Sequence, residues 1–174
     1  MNWKELLKSE IENAYRVTEG LLALVDEDNL DWKPSPKNNW MKVSQLLHHI
    51  SNSCGYGIRG FVTGDWGLPE GIKAENLSPE EMLPPAEKLP TLNSVKEARE
   101  LLAKDKKLAL KMLAECSEEK LANMTARAPW DPTDMILGQR FLQMVAHLNS
   151  HKSQLFYYLK LQGKPVNTGH LWAM

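Results

Sequence analysis

The chain has 174 residues, with 21 lysines and arginines against 22 aspartates and glutamates. The length fits a single domain over residues 1–174, and the balanced charge gives no overall attraction to nucleic acid or an anionic membrane. Its two cysteines form neither a disulfide framework nor a CxxC motif, the N-terminus is not a signal peptide, and no stretch could span a membrane. We therefore expect a cytoplasmic protein that does not bind nucleic acid.

Apolar residues recur at helical spacing in four segments. The first helix is predicted over about residues 3–25 and the second over about residues 41–63. Ser94 is the predicted N-cap of the third helix, and Glu97 completes a capping box with it. Thr133 or Asp134 is predicted to cap the fourth helix, which ends before Gly163 and Pro165.

The connections between these helices are rich in proline, glycine and polar residues. The connection between the second and third helices is about 30 residues long, and loops of this length are usually functional or form a crossover. Within it, the sequence "SPEEMLPP" is a candidate for one helical turn. No strand alternation is evident. The pattern predicts an all-α fold, a four-helix bundle with a long crossover between helices two and three.

Four of the five histidines fall within two predicted helices. His147 and His151 are four residues apart, so their rings leave the same helical face. A histidine from a facing helix would complete an open three-histidine metal site, as in catalytic zinc enzymes, although imidazole also suits nickel, iron or copper. His48 and His49 lie at similar angles from the apolar stripe of the second helix, so spacing does not choose between them. The alternative is that the histidines are structural residues with separate hydrogen-bond partners.

Two stretches, "LDWKPSPKNNWMKVSQLLHHI" and "HLNSHKSQLFYYLKLQGKPV", together resemble the DinB superfamily of four-helix-bundle metalloenzymes. The likeness covers nearly the whole chain, with Ser153 replacing the usual glycine. It implies that His49, His147 and His151 bind a divalent metal, with His48 in reserve, and that zinc or nickel is the ion. It also implies a homodimer and, as in the thiol-dependent branches of the family, a low-molecular-weight thiol.

A bound divalent ion could acidify a water for hydrolysis or hold a substrate thiol as its thiolate. No acidic residue adjoins the histidines in sequence and no HExxH motif is present, which disfavours hydrolysis. The leading hypothesis is therefore a metal-dependent enzyme acting on a small molecule as a thiol S-transferase. The competing hypothesis is a non-catalytic dimeric bundle that binds a small ligand or a protein partner.

Other residues near these motifs receive structural interpretations. Gln154 is interpreted as a polar flank rather than a residue that holds a metal ligand, and Arg59 and Lys152 as solvated charges. Tyr157 and Tyr158 are expected to pack or to form an interface. Five tryptophans are expected to close the ends of the bundle, with a pocket wall as the alternative: Trp32, Trp40, Trp66, Trp130 and Trp172. Cys54 is predicted to be a buried, unreactive thiol.

Overall fold

The computed structural model describes residues 2–37, 39–72, 74–172 and 174. Its helices and strands, in chain order, are α1 (Trp3–Leu22), α2 (Val43–Ile50), α3 (Gly55–Thr63), α4 (Pro79–Met82), α5 (Val95–Glu115), α6 (Glu118–Asn123), β1 (Thr125–Ala128), β2 (Asp131–Ile136), α7 (Leu137–Leu161) and α8 (Thr168–Trp172). Helix α4 lies in the crossover between α3 and α5, at the predicted helical turn.

Four helical stretches surround one apolar core: α1, α5, α7 and the pair α2 and α3. Helix α1 packs against α5 and α7, and α3 also contacts both of these, while α2 lies along α7. The core includes Leu7 and Ile11 of α1 and Leu46 of α2, all fully buried. The predicted all-α class and long crossover are confirmed, with a small two-stranded sheet as the exception. No helix in the described part of the chain has both the length and the apolar character needed to cross a bilayer.

The predicted second helix over residues 41–63 is wrong as a continuous element, because the chain breaks between α2 and α3. At the break, the buried Asp105 carboxylate of α5 accepts hydrogen bonds from the backbone N–H groups of Cys54 (3.3 Å), Gly55 (2.9 Å) and Tyr56 (3.0 Å). It also accepts one from the Tyr15 hydroxyl (2.6 Å). Burial raises the pKa of Tyr15, which keeps this hydroxyl a donor. The first N–H groups of a helix lack partners within it, so a carboxylate there satisfies them and starts α3.

Two glycines of α3 allow neighbouring groups to approach its backbone. A Cβ atom at Gly55 would lie 2.2 Å from the Asp105 carbonyl oxygen, and one at Gly60 would lie 2.2 Å from the Trp66 ring. Any larger residue would push α5 or the Trp66 ring away. These two positions therefore fix how closely α3 packs against both.

The prediction that Thr133 or Asp134 caps the fourth helix is wrong, because both lie in strand β2. Strands β1 and β2 form an antiparallel hairpin in which Thr125 pairs with Ile136, and α7 begins after it at Leu137. The hairpin is short and contains Pro132, which cannot donate to a strand ladder. Its local sequence therefore carries little strand signal.

The fully buried Arg140 of α7 holds the hairpin in place. Its Nε donates to the Ala126 carbonyl (3.0 Å), and its Nη1 donates to the Asp131 carboxylate (2.9 Å). Its Nη2 donates to the Thr133 carbonyl. A buried guanidinium requires several acceptors, and the hairpin backbone supplies them. The turn of the hairpin, which carries Trp130, is thereby fixed beside α7.

The other predicted helix ends are close to the observed ones. The Ser94 hydroxyl accepts a hydrogen bond from the Glu97 N–H (3.0 Å), which confirms it as the N-cap of α5. The Glu97 carboxylate, however, accepts from the N–H of Asn93 and not from that of Ser94, so the predicted capping box is displaced by one residue. Helix α7 ends at Leu161, and Gly163 follows with a φ of 80°.

Replacing Asp105 by Ala should lower the free energy of unfolding by about 3 kcal/mol or more, because several buried donors lose their acceptor. Urea unfolding followed by circular dichroism measures this change. Asp31, whose carboxylate pairs with Lys42 on the surface, provides the matched control. Its change to Ala should cost less than about 1 kcal/mol. Equal effects of the two substitutions would contradict the role assigned to Asp105.

Candidate metal centre

Three histidines from two helices meet at one point. His49 lies in the last turn of α2, and His147 and His151 project from the middle of α7. The Nε2 atom of His49 is 3.2 Å from that of His147 and 3.0 Å from that of His151, and the last two are 2.9 Å apart. Among the described residues these three form a group that could hold a metal ion, and His48 lies outside it.

A chain of hydrogen bonds sets the orientation of the His151 ring. The buried Tyr158 hydroxyl donates to the Met41 carbonyl (3.1 Å), so its oxygen can accept from the Gln154 amide nitrogen (3.3 Å). The Gln154 oxygen then faces Nδ1 of His151 at 3.0 Å and accepts its hydrogen. Since a neutral imidazole carries one N–H, Nε2 of His151 is left with a lone pair directed at the other two rings.

The interpretation of Gln154 as a polar flank is therefore wrong: it holds His151. Tyr158 packs in the core, as expected, and also takes part in this chain. The sequence places Gln154 three residues after His151, a spacing at which two helical side chains meet. The spacing alone therefore indicates that the two side chains meet. Which atom of the Gln154 amide faces His151 depends on Tyr158 and Met41, and the spacing does not show it.

The break between α2 and α3 provides a polar neighbour for the second ring. Within the break, interaction with the Ser53 backbone raises the pKa of His147, against the larger effect of burial. A carbonyl inside a continuous helix would be committed to the N–H four residues later. The same break that Asp105 stabilises thus leaves a backbone group available beside His147.

Burial lowers the pKa of all three histidines. The pKa of His49 falls to about 3, through burial first and then through the charges that His151 and His147 would carry if protonated. The rings are therefore neutral near pH 7, which is the form that binds a metal ion.

Hydrogen bonding among the rings cannot satisfy all three nitrogens. The Nε2 atom of His151 is an acceptor. An Nε2–H group on one of the other two rings can point to only one neighbouring nitrogen. Two of the three Nε2 atoms therefore still face each other with lone pairs at about 3 Å. Nitrogens bound to one ion at about 2.0–2.1 Å lie about 3.0–3.4 Å apart, depending on the angle between them. The observed separations of 2.9–3.2 Å fit a shared cation.

A cavity of about 430 Å³ adjoins His49 and His147. Helices α2, α3 and α7, the crossover and the hairpin turn all contribute to its walls. Trp66 of the crossover and Trp130 of the hairpin pack edge to face, with ring centroids 5.4 Å apart, and both line it. For these two tryptophans, the interpretation as plugs at the bundle ends is replaced by the alternative of a pocket wall.

The remaining tryptophans lie elsewhere. Trp32 and Trp40 pack around Tyr158, at centroid distances of 5.5 Å and 6.4 Å. Trp172 of α8 is exposed and lies over the ammonium of Lys152. These three are not among the residues that line the cavity.

Two charged residues differ in their surroundings from the sequence interpretation. The expectation of a solvated Lys152 is wrong, since it is 5% exposed and donates to the Leu171 carbonyl at 3.3 Å. Arg59 is partly buried, lies over the Tyr56 ring and pairs with Asp65. Neither Lys152 nor Arg59 is among the residues that line the cavity.

Both cysteines are buried, which confirms the prediction for Cys54. Burial raises the pKa of each thiol, so neither is a ready nucleophile at neutral pH. Any reactive thiol at this site would have to come from a bound molecule.

Comparison with known proteins bears on this arrangement. A model of the DinB superfamily matches residues 10–155, which include all three clustered histidines. The chain belongs to the DinB superfamily. A crystal structure of a DinB-like protein from Bacillus subtilis superposes with a TM-score of 0.64 over 92% of this chain and 94% of that one, at 17% identity. At this identity the likeness establishes the fold that the two DinB proteins share. No curated protein sequence matches the chain.

Replacing Gln154 by Leu in this DinB protein removes the acceptor that holds His151, and we expect zinc affinity to fall about ten- to a hundredfold. Competition with a chromogenic chelator measures the affinity. Gln154→Glu keeps an acceptor and should restore most of it. Gln139→Leu, an exposed position in the first turn of the same helix, is the control; it removes only an acceptor of the Ile136 N–H and should leave the zinc affinity unchanged. Unchanged affinity in Gln154→Leu would show that the contact does not support the site.

Proposed function

We propose that the protein binds one divalent cation, zinc or nickel, through His49, His147 and His151 and acts on a small molecule held in the adjoining cavity. The observation that carries the proposal is the convergence of three neutral Nε2 atoms within 3.2 Å of one another. A buried group of lone pairs is unfavourable unless a cation lies among them.

A bound cation would supply Lewis-acid chemistry, holding a thiol in its deprotonated form or polarising a carbonyl. Hydrolysis also requires a general base, usually a carboxylate, within reach of the reacting water. The described residues that line the cavity include no aspartate or glutamate. This favours transfer from a thiol substrate, and we propose thiol S-transfer as the reaction class.

The protein's own groups then have defined tasks. Gln154 orients His151 so that its Nε2 lone pair points to the other two rings, and the Ser53 backbone is a polar neighbour of His147. Trp66 and Trp130 cover one side of the cavity and limit the access of water to the reacting groups. Together these contacts keep the site arranged before any substrate binds.

The proposal includes a homodimer, as the family resemblance implies. Tyr157 and Leu161 lie one turn apart on the same face of α7 and are 63% and 65% exposed, so a second copy could cover them. Light scattering coupled to gel filtration measures the mass in solution. A mass of one chain at all concentrations tested would contradict this part of the proposal.

The histidine set is tested by counting metal ions. Protein purified without a tag or chelator and incubated with zinc should contain about one ion per chain, measured by elemental mass spectrometry. His151→Ala should lose the ion because two nitrogens hold it far less tightly. His48→Ala, the neighbouring histidine outside the cluster, is the control and should retain it.

Two outcomes would contradict the metal site as assigned. If His48→Ala loses the ion and His49→Ala keeps it, the ligand from α2 is wrong. If the unaltered protein takes up neither zinc nor nickel, the non-catalytic bundle becomes the better account. Circular dichroism of each variant distinguishes loss of the ion from loss of the fold.

A further inference from the structure

The cavity beside the histidines has an uncharged lining. None of the described residues on its walls is lysine, arginine, aspartate or glutamate. A charged group entering this space would lose hydration without gaining an opposite charge from the walls.

The polar side chains on the wall offer neutral hydrogen-bonding atoms. The Gln143 oxygen accepts a hydrogen bond from Arg140 (2.8 Å), which leaves the amide N–H groups of Gln143 as donors. The Asn52 nitrogen donates to the His48 carbonyl (2.9 Å), which leaves its oxygen as an acceptor. Such groups can pair with a carbonyl, hydroxyl or amide, but they supply no charge to offset the lost hydration of an ion.

The rest of the wall is flat and apolar. Trp66 and Trp130 pack edge to face with each other and with Phe61 behind them, at centroid distances of 5.1–6.2 Å. Arg140 lies over the Phe61 ring and fixes the hairpin that carries Trp130. Because each ring is held by others, the wall is already formed in the absence of a ligand.

Residues of the crossover complete the cavity near its mouth. Met82, at the end of α4, and Leu83 line it together with Met144 of α7, and Leu83 is 61% exposed. An exposed leucine at the cavity mouth presents apolar surface. A lysine or arginine at this position would instead favour an anionic substrate.

We propose that this cavity selects an uncharged substrate with an aromatic or similarly flat apolar body. The inference rests on the proposed function for the position of the substrate beside the ion. The preference for an uncharged ligand follows from the uncharged residues that line the cavity. Small thiols that carry carboxylates would leave those groups unpaired inside the cavity. The preferred thiol or its acceptor is therefore neutral over the part that the cavity encloses.

A matched pair of thiols tests the selection. Phenylmethanethiol and its 4-carboxylate differ in one charge and share the ring and the thiol. Isothermal titration of the zinc-loaded full chain should show the neutral thiol binding at least about tenfold more tightly, because the carboxylate loses hydration in the cavity. Equal binding, or tighter binding of the carboxylate, would overturn the proposal.

Reversing the charge preference gives a second test. Leu83→Arg places a cation at the mouth and should shift the preference about tenfold toward the carboxylate. Ile72→Arg changes an exposed apolar residue, 45%, that does not line the cavity and should leave the preference unchanged. If both variants shift the preference for the carboxylate equally, the shift comes from the overall charge of the protein, and the cavity is not the binding site.

A third measurement separates this inference from the metal proposal. Benzamide and benzoate are titrated into metal-free protein while the tryptophan fluorescence is recorded. Quenching by benzamide that is lost in Trp130→Ala, with benzoate at least about tenfold weaker, supports the uncharged cavity even if zinc never binds. Benzoate binding as tightly as benzamide would overturn the inference, whatever the metal content.

Discussion

The buried carboxylate of Asp105 is the constraint on which the site depends. By accepting the N–H groups at the start of α3, it divides a segment whose apolar pattern suits one long helix. The division ends α2 one residue after His49 and leaves the Ser53 backbone available beside His147. It also sets the direction of α3, whose Gly57 and Tyr56 form part of the cavity. The hydrogen bonds that Asp105 accepts in the core thus shape the histidine cluster and the cavity beside it.

The sequence predicts α1, α5 and most of α7 well because their apolar stripes are long and regular. It also predicts that His147 and His151 share a face, since that follows from helical spacing alone. It does not separate His48 from His49, because that choice depends on how α2 rotates against α7. The break at residues 51–54 depends on a carboxylate about 50 positions later, which no local pattern contains. The hairpin depends in the same way on Arg140, and the burial of Lys152 depends on α8 covering it.

The electrostatics of the site are consistent across its parts. Burial lowers the pKa of the histidines, and the described residues that line the cavity beside them include no charged side chain. A thiolate held by a bound cation would offset part of its charge, and the described residues of the cavity wall add no further charge to this region. Membership of the DinB superfamily agrees with this arrangement, and in this chain the crossover and the hairpin supply Trp66, Leu83 and Trp130 to the walls.

The central claim is that the three Nε2 atoms share one ion. Anomalous diffraction from crystals soaked in zinc, recorded on both sides of the zinc absorption edge, tests it most directly. The account predicts one strong peak within about 2.0–2.2 Å of Nε2 of His49, His147 and His151, next to the cavity. A peak bound to His48 or His170 instead, or no peak in crystals that contain zinc elsewhere, would contradict it.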